Sequence, residues 1–544
     1  MRASAVASKW LTLIATCLGL GMLMIDTFVV NIALPAIGRD LEAALSTIEW
    51  TVSGYVLVVG ILPVVMGRLG DIFGRRRVYL SGLLTFILAS IACGAAQSIH
   101  ELVAFRILQG VGAATMTPGT LSIITQAFPP EQRGLAIGIW GGVSSLGLIA
   151  SPILGGLLVH GDSWRMVFFI NVPVGAAALV MTTLFVPESR DEGAPRALDL
   201  LGLTLLSSAL FFILFGFTRA NDGGWTSPRI LTLFVVGIVA LVAFVAAERC
   251  TRFPLVDLTL FRSGTFVMSC LSALLFSAAV FGSQPYLSLF MQNYWGFSPL
   301  QSGLAFIPAT ALVAAMMTVS GIMGQRLGSR LRLAIIAGSL AVVVSALYLL
   351  RLDAGSTYID GLLPAFLIRG LGIGIVMTTT SLAVMSAVPI AKSGLASGML
   401  TMARQIGTAM GVAVLGAVFL HHVKTELPKQ LSGLPPEYVA QITTAADHFM
   451  PIAQGKARMV AAGVVLEGFV RTALAASILC GMATVAACFI RHRLHTGQQA
   501  EAPLSSDTRL PGITSAAEPH GRFPSPSKPA AEVVYTQKLT EGMD

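Results

Sequence analysis

A chain of 544 residues with 55% hydrophobic and only 11% charged residues, and a mean hydropathy of +0.78, lies far below the roughly 25% charge of a soluble globular protein. That excludes an ordinary string of soluble domains and points to a polytopic membrane protein, because a bilayer core of ~30 Å takes about 20 apolar residues per crossing. The net charge of +8 does not indicate nucleic acid as a partner: the cations sit between apolar runs, where they set membrane orientation, rather than on one soluble face.

In chain order, the apolar runs predict fourteen helical spans near residues 10–33, 47–66, 78–96, 101–126, 134–159, 166–186, 200–218, 229–247, 265–291, 301–323, 333–350, 361–387, 394–420 and 469–490. The first run follows Arg2 and Lys9 as in a signal peptide, but it is too long for one and contains Asp26. Helices are expected because a spanning segment must satisfy its own backbone, and the strict alternation of a membrane barrel is absent. With the N-terminus placed inside, the inner loops carry fourteen Lys/Arg, among them Arg68, Arg75, Arg76 and Arg77, and the short outer loops carry five. This bias favours both termini in the cytoplasm. The six cysteines form no C-x-x-C or metal pattern and read as small apolar fillers. No Walker A sequence occurs, so no ATP hydrolysis is expected of this chain.

The chain repeats itself. "GRLGDIFGRRR" (67–77) after the second span is echoed weakly by "GQRLGSRLR" (324–332) after the tenth. "RILQGVGAATMTP" (106–118) is echoed by "RGLGIGIVMTT" (369–379). These echoes divide the chain into a six-helix half over 1–186, two inserted helices and linkers over 187–264, and a second half over 265–490 with an outer loop at 421–468. Repeats of this sort mark secondary transporters, whose substrate site lies between the halves. Residues 491–544, rich in Pro and Ser over their length, read as a disordered cytoplasmic tail.

Four charges fall well inside proposed spans: Asp26, Arg106, Arg369 and Arg404. Each costs about 2.5–3.5 kcal/mol at mid-membrane, so each needs a partner, a water cavity or neutralisation. Asp26 in the first span and Arg106 in the fourth lie at similar depth with opposite charge, which predicts a direct or water-bridged pair, either a switchable proton site or a static pair that holds the two helices together. Glu49 opens the second span next to Trp50, either as a second acid in an outer cavity or as an interfacial helix-start residue. Arg404 meets an anionic group or backbone carbonyls; Arg369 has the depth of Arg106 but no matching acid. Gly67, Gly70 and Gly74 with Asp71 share one helical face, so another helix can approach closely there, with Asp71 capping the helix that opens near Ser393 and Arg75, Arg76 and Arg77 anchoring the inner end. Gly147, Pro152, Gly155 and Gly156 predict a kinked fifth span with a flat face.

With these residues in view, residues 10–490 resemble the major facilitator superfamily, in its fourteen-span drug:proton antiporter branch (EmrB/QacA-type). "LMIDTFVVNIALP" (23–35) is similar to that branch's first-span motif, "GRLGDIFGRRR" to the superfamily's loop 2–3 motif, and "RILQGVGAA" (106–114) to the fourth-span motif whose Arg is linked to proton transfer. "SPILGG" (151–156) resembles the fifth-span antiporter motif, with Ser151 where Gly is usual. "WRMVFFINVPVG" (164–175), "FPLVDLTLFRSGTF" (253–266) and "RQIGTAMGVAV" (404–414) are similar to further hallmarks of the branch. No acid stands between 394 and 420, where some exporters of dicationic drugs carry one. The resemblance implies two six-helix bundles plus two inserted helices, alternating access, and efflux of drugs or other amphipathic toxic molecules driven by protons across a bacterial inner (cell) membrane. The same fold would also serve a dedicated exporter of one endogenous metabolite or antibiotic. It further implies a non-enzymatic, functionally monomeric carrier in a lipid bilayer, with protons as coupling ion and neither metal nor other cofactor. No residue decides whether a periplasmic adaptor joins it.

Overall fold

The computed structural model describes residues 2–43, 45–159, 164–190, 199–251, 254–327, 330–353, 355–431 and 456–490. Every regular element among them is helical. In order these are α1 (Arg2–Asp40), α2 (Leu45–Ile61), α3 (Pro63–Phe73), α4 (Arg75–Ala95), α5 (Ile99–Ala127), α6 (Pro130–Val159), α7 (Met166–Phe169), α8 (Asn171–Phe185), α9 (Leu200–Gly223) and α10 (Pro228–Cys250). Then follow α11 (Gly264–Val280), α12 (Gln284–Tyr294), α13 (Pro299–Ala305), α14 (Ile307–Leu327), α15 (Leu331–Tyr348), α16 (Leu363–Ser386), α17 (Ser393–Gln430) and α18 (Lys456–Cys488).

Among the described residues twelve helices are long and apolar enough to cross a membrane, or thirteen if α2 and α3, which bend by 50° at Leu62, make one span. Fourteen spans were expected; α6 is the helix at the remaining expected position. The bend at Leu62 has a local cause: Pro63 at the start of α3 lacks the N–H that would continue α2. Helix ends also differ from expectation. The segment 421–468 was expected as an outer loop, but α17 runs on to Gln430 and α18 already begins at Lys456. Span nine breaks at residues 281–283, between α11 and α12. The tail and the Ser329 region of the second loop motif lie outside the described residues.

The helices pack in two groups. α1, α2, α4, α5, α6 and α8 pack on one another, as do α11, α14, α15, α16, α17 and α18. The groups meet along two seams. On one, α6 lies against α14; on the other, α17 lies against α3 and α5. Glycine makes both possible. A Cβ at Gly138 would fall 2.7 Å from the Met317 carbonyl oxygen, and one at Gly321 would press into the backbone of Gly134. Where the hydrophobic effect does not drive helices together, backbone contact of this kind maximises dispersion. The α9–α10 hairpin packs against α2 and α17 through α9, with Leu214 against Gly60 and Phe215 against Trp50.

Candidate functional site

Asp26 and Arg106 meet. Arg106 Nη1 donates to Asp26 Oδ2 at 2.7 Å, and both side chains are buried to within 1% of completely. The pair is not alone. Gln109, one turn along α5 from Arg106, donates from Nε2 to Asp26 Oδ1 at 2.9 Å and accepts from Arg106 Nη1 at 2.7 Å. Asn171, the first residue of α8, donates from Nδ2 to Asp26 Oδ1 at 2.8 Å. Arg106 Nε donates to the Thr51 carbonyl at 3.0 Å, and its guanidinium lies over the Tyr55 ring, 4.2 Å from the centroid. Ser90 on α4 completes the cluster. Residues of five helices, α1, α2, α4, α5 and α8, thus join in one network, in which α5 and α8 bond both oxygens of the carboxylate. Such satisfaction is what makes a buried ion tolerable; removing one partner of a buried pair typically costs about 3–5 kcal/mol.

Sequence reading found the two charges and missed Gln109, Asn171, Ser90 and Tyr55. A signal existed: an amide in an otherwise apolar span also needs a partner, and both amides stand in motifs already singled out, "RILQG" and "FFINVPVG".

The second constellation lies where α3 meets α17. Asp71 Oδ1 accepts from the Gly394 backbone N–H at 3.1 Å and Oδ2 from that of Leu395 at 2.9 Å. These are free N–H groups of the first turn of α17, so the carboxylate also meets the positive end of the helix dipole. The helix opening at Ser393 is the one expected from sequence. Arg75 is 1% exposed, bonds Asp71 Oδ1 through Nε at 2.9 Å and Nη2 at 2.6 Å, and reaches the carbonyls of Ile390 and Ala391 at 3.1 and 2.7 Å. Arg76 and Arg77 offer their backbone N–H groups to Glu188 at 3.1 and 3.2 Å.

The three glycines of this motif do different jobs rather than sharing one helical face. A Cβ at Gly67 would collide with the Gly394 carbonyl, so Gly67 sets the helix–helix approach. Gly74 has φ 112°, which an L side chain rarely adopts, and breaks α3 from α4. At Gly70 a Cβ would find ordinary contact with Arg75. Nearby, Asp257 pairs with Lys392, just before α17. Burial raises the Asp257 carboxyl, but its hydrogen bonds to Lys392 and Thr259 outweigh this and hold it below the usual value.

Of the fifth-span residues, Gly147 lies on α6 facing α1, not the seam: a Cβ there would meet Met24 at 2.8 Å. Gly134, Gly138, Gly141 and Gly142 are the α6 glycines placed against α14. Ser151 turns its hydroxyl back to the Gly147 carbonyl at 2.7 Å, so the extra group is satisfied within its own helix. Gly155 is buried. Pro152 and Gly156 are helical positions of α6, and Glu49 lies in α2; the surroundings of all three lie outside the described residues. Arg404 reaches the Met377 carbonyl and the Ser381 hydroxyl at 3.0 Å each, and Thr380 at 3.3 Å, so it holds α17 to α16. Arg369 donates to the Val280 carbonyl and, at 3.0 Å, to Ser283, where α11 breaks from α12.

A family model described as Major Facilitator Superfamily matches residues 16–412. The chain is 35% identical over 444 residues to the tetracenomycin C resistance and export protein of Streptomyces glaucescens, covering 80% of this chain and 82% of that one. It is 35% identical over 433 residues to multidrug resistance protein Stp of Mycobacterium tuberculosis, covering 79% and 80%. The crystal structure of the human organic anion transporter MFSD10 (TETRAN) superposes with a TM-score of 0.56 at 16% identity, covering 88% of this chain and 99% of that one; at that identity the likeness concerns the fold alone.

Proposed function

The chain belongs to the major facilitator superfamily, and on that premise we propose that it exports amphipathic toxic small molecules across a bacterial inner membrane in exchange for protons. It works by alternating access between two six-helix halves, 1–186 and 265–490, as a monomer in the bilayer, with both termini in the cytoplasm. The two inserted helices fall in 187–264 and the tail in 491–544. No chemistry is performed on the cargo, and protons are the only coupling species; an adaptor is not required by this scheme. With the Asp71 end inward, the Asp71–Gly394 latch and the glycine seam of α6 and α14 close the cytoplasmic side.

The observation that carries the reading is the buried Asp26–Arg106 pair. A proton arriving at Asp26 removes the negative partner of Arg106 and leaves a buried cation unmatched, so the helices bearing the two must rearrange. Proton and cargo then exclude one another, which lets inward proton flow drive export; the membrane potential supplies about 2.3 kcal/mol per charge per 100 mV. Resistance and flux panels in everted vesicles under an imposed pH gradient test this. Wild type should drive uptake of several unrelated amphipathic compounds, and Asp26→Asn should fall to background while remaining folded. Full gradient-driven uptake by Asp26→Asn defeats the reading. Resemblance to a protein named for tetracenomycin C alone favours the second reading, a dedicated exporter of one metabolite or antibiotic; response to a single compound in the panel selects it.

A further inference from the structure

Ser90 has one hydroxyl proton, and it goes to the Phe168 carbonyl at 2.8 Å. Toward its other neighbours Ser90 Oγ is therefore an acceptor, for Asn171 Nδ2 at 3.0 Å and Gln109 Nε2 at 3.3 Å. Each amide nitrogen carries two protons, and the other of each goes to Asp26 Oδ1. Gln109 Oε1 is committed to Arg106. The Asn171 amide is thereby oriented by a hydroxyl that touches neither the acid nor the guanidinium, and the Gln109 amide by that hydroxyl together with Arg106.

Among the described residues Asp26 accepts from three donors, two amides on Oδ1 and a guanidinium on Oδ2. These bonds favour the carboxylate, because protonating either oxygen weakens or displaces a donor already bonded to it. The titratable or charged groups around it among the described residues are Arg106 from α5, Tyr55 from α2, under the guanidinium, and Cys93 from α4, with Sγ 3.8 Å from Gln109 Oε1. α8 contributes only the neutral amide of Asn171. That amide sits at a discontinuity, with Ile170 alone separating α7 from α8 and Pro173 two residues on.

We propose that Asn171, clamped by Ser90, is a positioning residue that holds Asp26 as the anion in this conformation, so that a proton loads only when the α8 amide turns or moves away. The proposal rests on Asp26 being the proton-coupling acid, and the test separates the two. In full-length protein in liposomes, the infrared band of the protonated Asp26 carboxyl, identified by its loss in Asp26→Asn, is followed against pH. Asn171→Leu removes one donor that favours the charged form, so the midpoint of that band moves to higher pH by about one unit, roughly a tenfold change in proton concentration. Asn171→Ser keeps one donor and falls between. Ser90→Ala, a smaller change, moves it in the same direction. An unchanged midpoint in Asn171→Leu overturns the positioning role even if Asp26→Asn has abolished gradient-driven export. A shifted midpoint upholds that role even if Asp26→Asn still pumps, in which case only the coupling assignment falls.

Discussion

Arg106 and Arg369 occupy corresponding places in the two halves of the chain, each followed by glycines that let neighbouring helices close in. Their chemistry differs completely. Arg106 is matched by a carboxylate, an amide and a carbonyl, all buried. Arg369 has no acid among the described residues and serves the carbonyl of Val280 and the hydroxyl of Ser283 at the break between α11 and α12. A cation at the last carbonyls of a helix is favoured by the dipole, so Arg369 supports a bend without an opposite charge. The two arginines thus differ in kind: one stands in a buried ion pair, the other braces a helix break.

The contrast is sharpest on paired substitution. Arg106→Ala leaves Asp26 buried and unmatched, and should cost about 3–5 kcal/mol of stability and abolish gradient-driven export. Arg369→Ala leaves only neutral acceptors behind and should cost about 1–3 kcal/mol with export reduced but still pH-dependent. Thermal unfolding and vesicle flux on the two variants side by side check this; equal losses would erase the distinction. Next in size is the latch. Asp71→Asn removes the charge from two hydrogen bonds to α17, worth about 1.5–3 kcal/mol to a charged acceptor, so the population ratio should move about tenfold or more toward a form open at the Asp71 end. Distance labels across the Asp71 end read it, and an unmoved distribution would show the latch to be ornamental. The smallest effect belongs to Asp257 and Lys392, which tie the linker after α10 to the start of α17. As a partly exposed pair it should contribute about 0.2–1 kcal/mol. Because the folded-state value of Asp257 is depressed, that contribution is present above the ordinary carboxylate range. It is lost only as pH falls through the lower folded-state value. The stability gap between wild type and Asp257→Asn should therefore hold down to about pH 4 and narrow only below it.

Charge was the legible part of this molecule. Asp26, Arg106 and Asp71 stand out in apolar sequence because an ion in hydrocarbon demands an explanation, and depth along two spans was enough to pair the first two. The latch partner near Ser393 was legible because a carboxylate beside small residues calls for a helix N-terminus. Gln109, Asn171 and Ser90 were not, because amides and hydroxyls in a span are often satisfied within their own helix, as Ser151 is. Sequence also does not say which of many glycines faces a partner. Gly147 and Gly138 look alike in the chain, yet one faces α1 and the other meets the backbone of α14. The choice for Arg404 between an anion and carbonyls turned on the position of α16, which is a property of packing alone.

Where Gly138 and Gly321 bring backbone onto backbone, no side chain intervenes to greet a cargo. Any adaptation of this carrier to a new compound must then be written on other surfaces, because enlarging a residue here would wedge the two halves apart before it could refine what they carry.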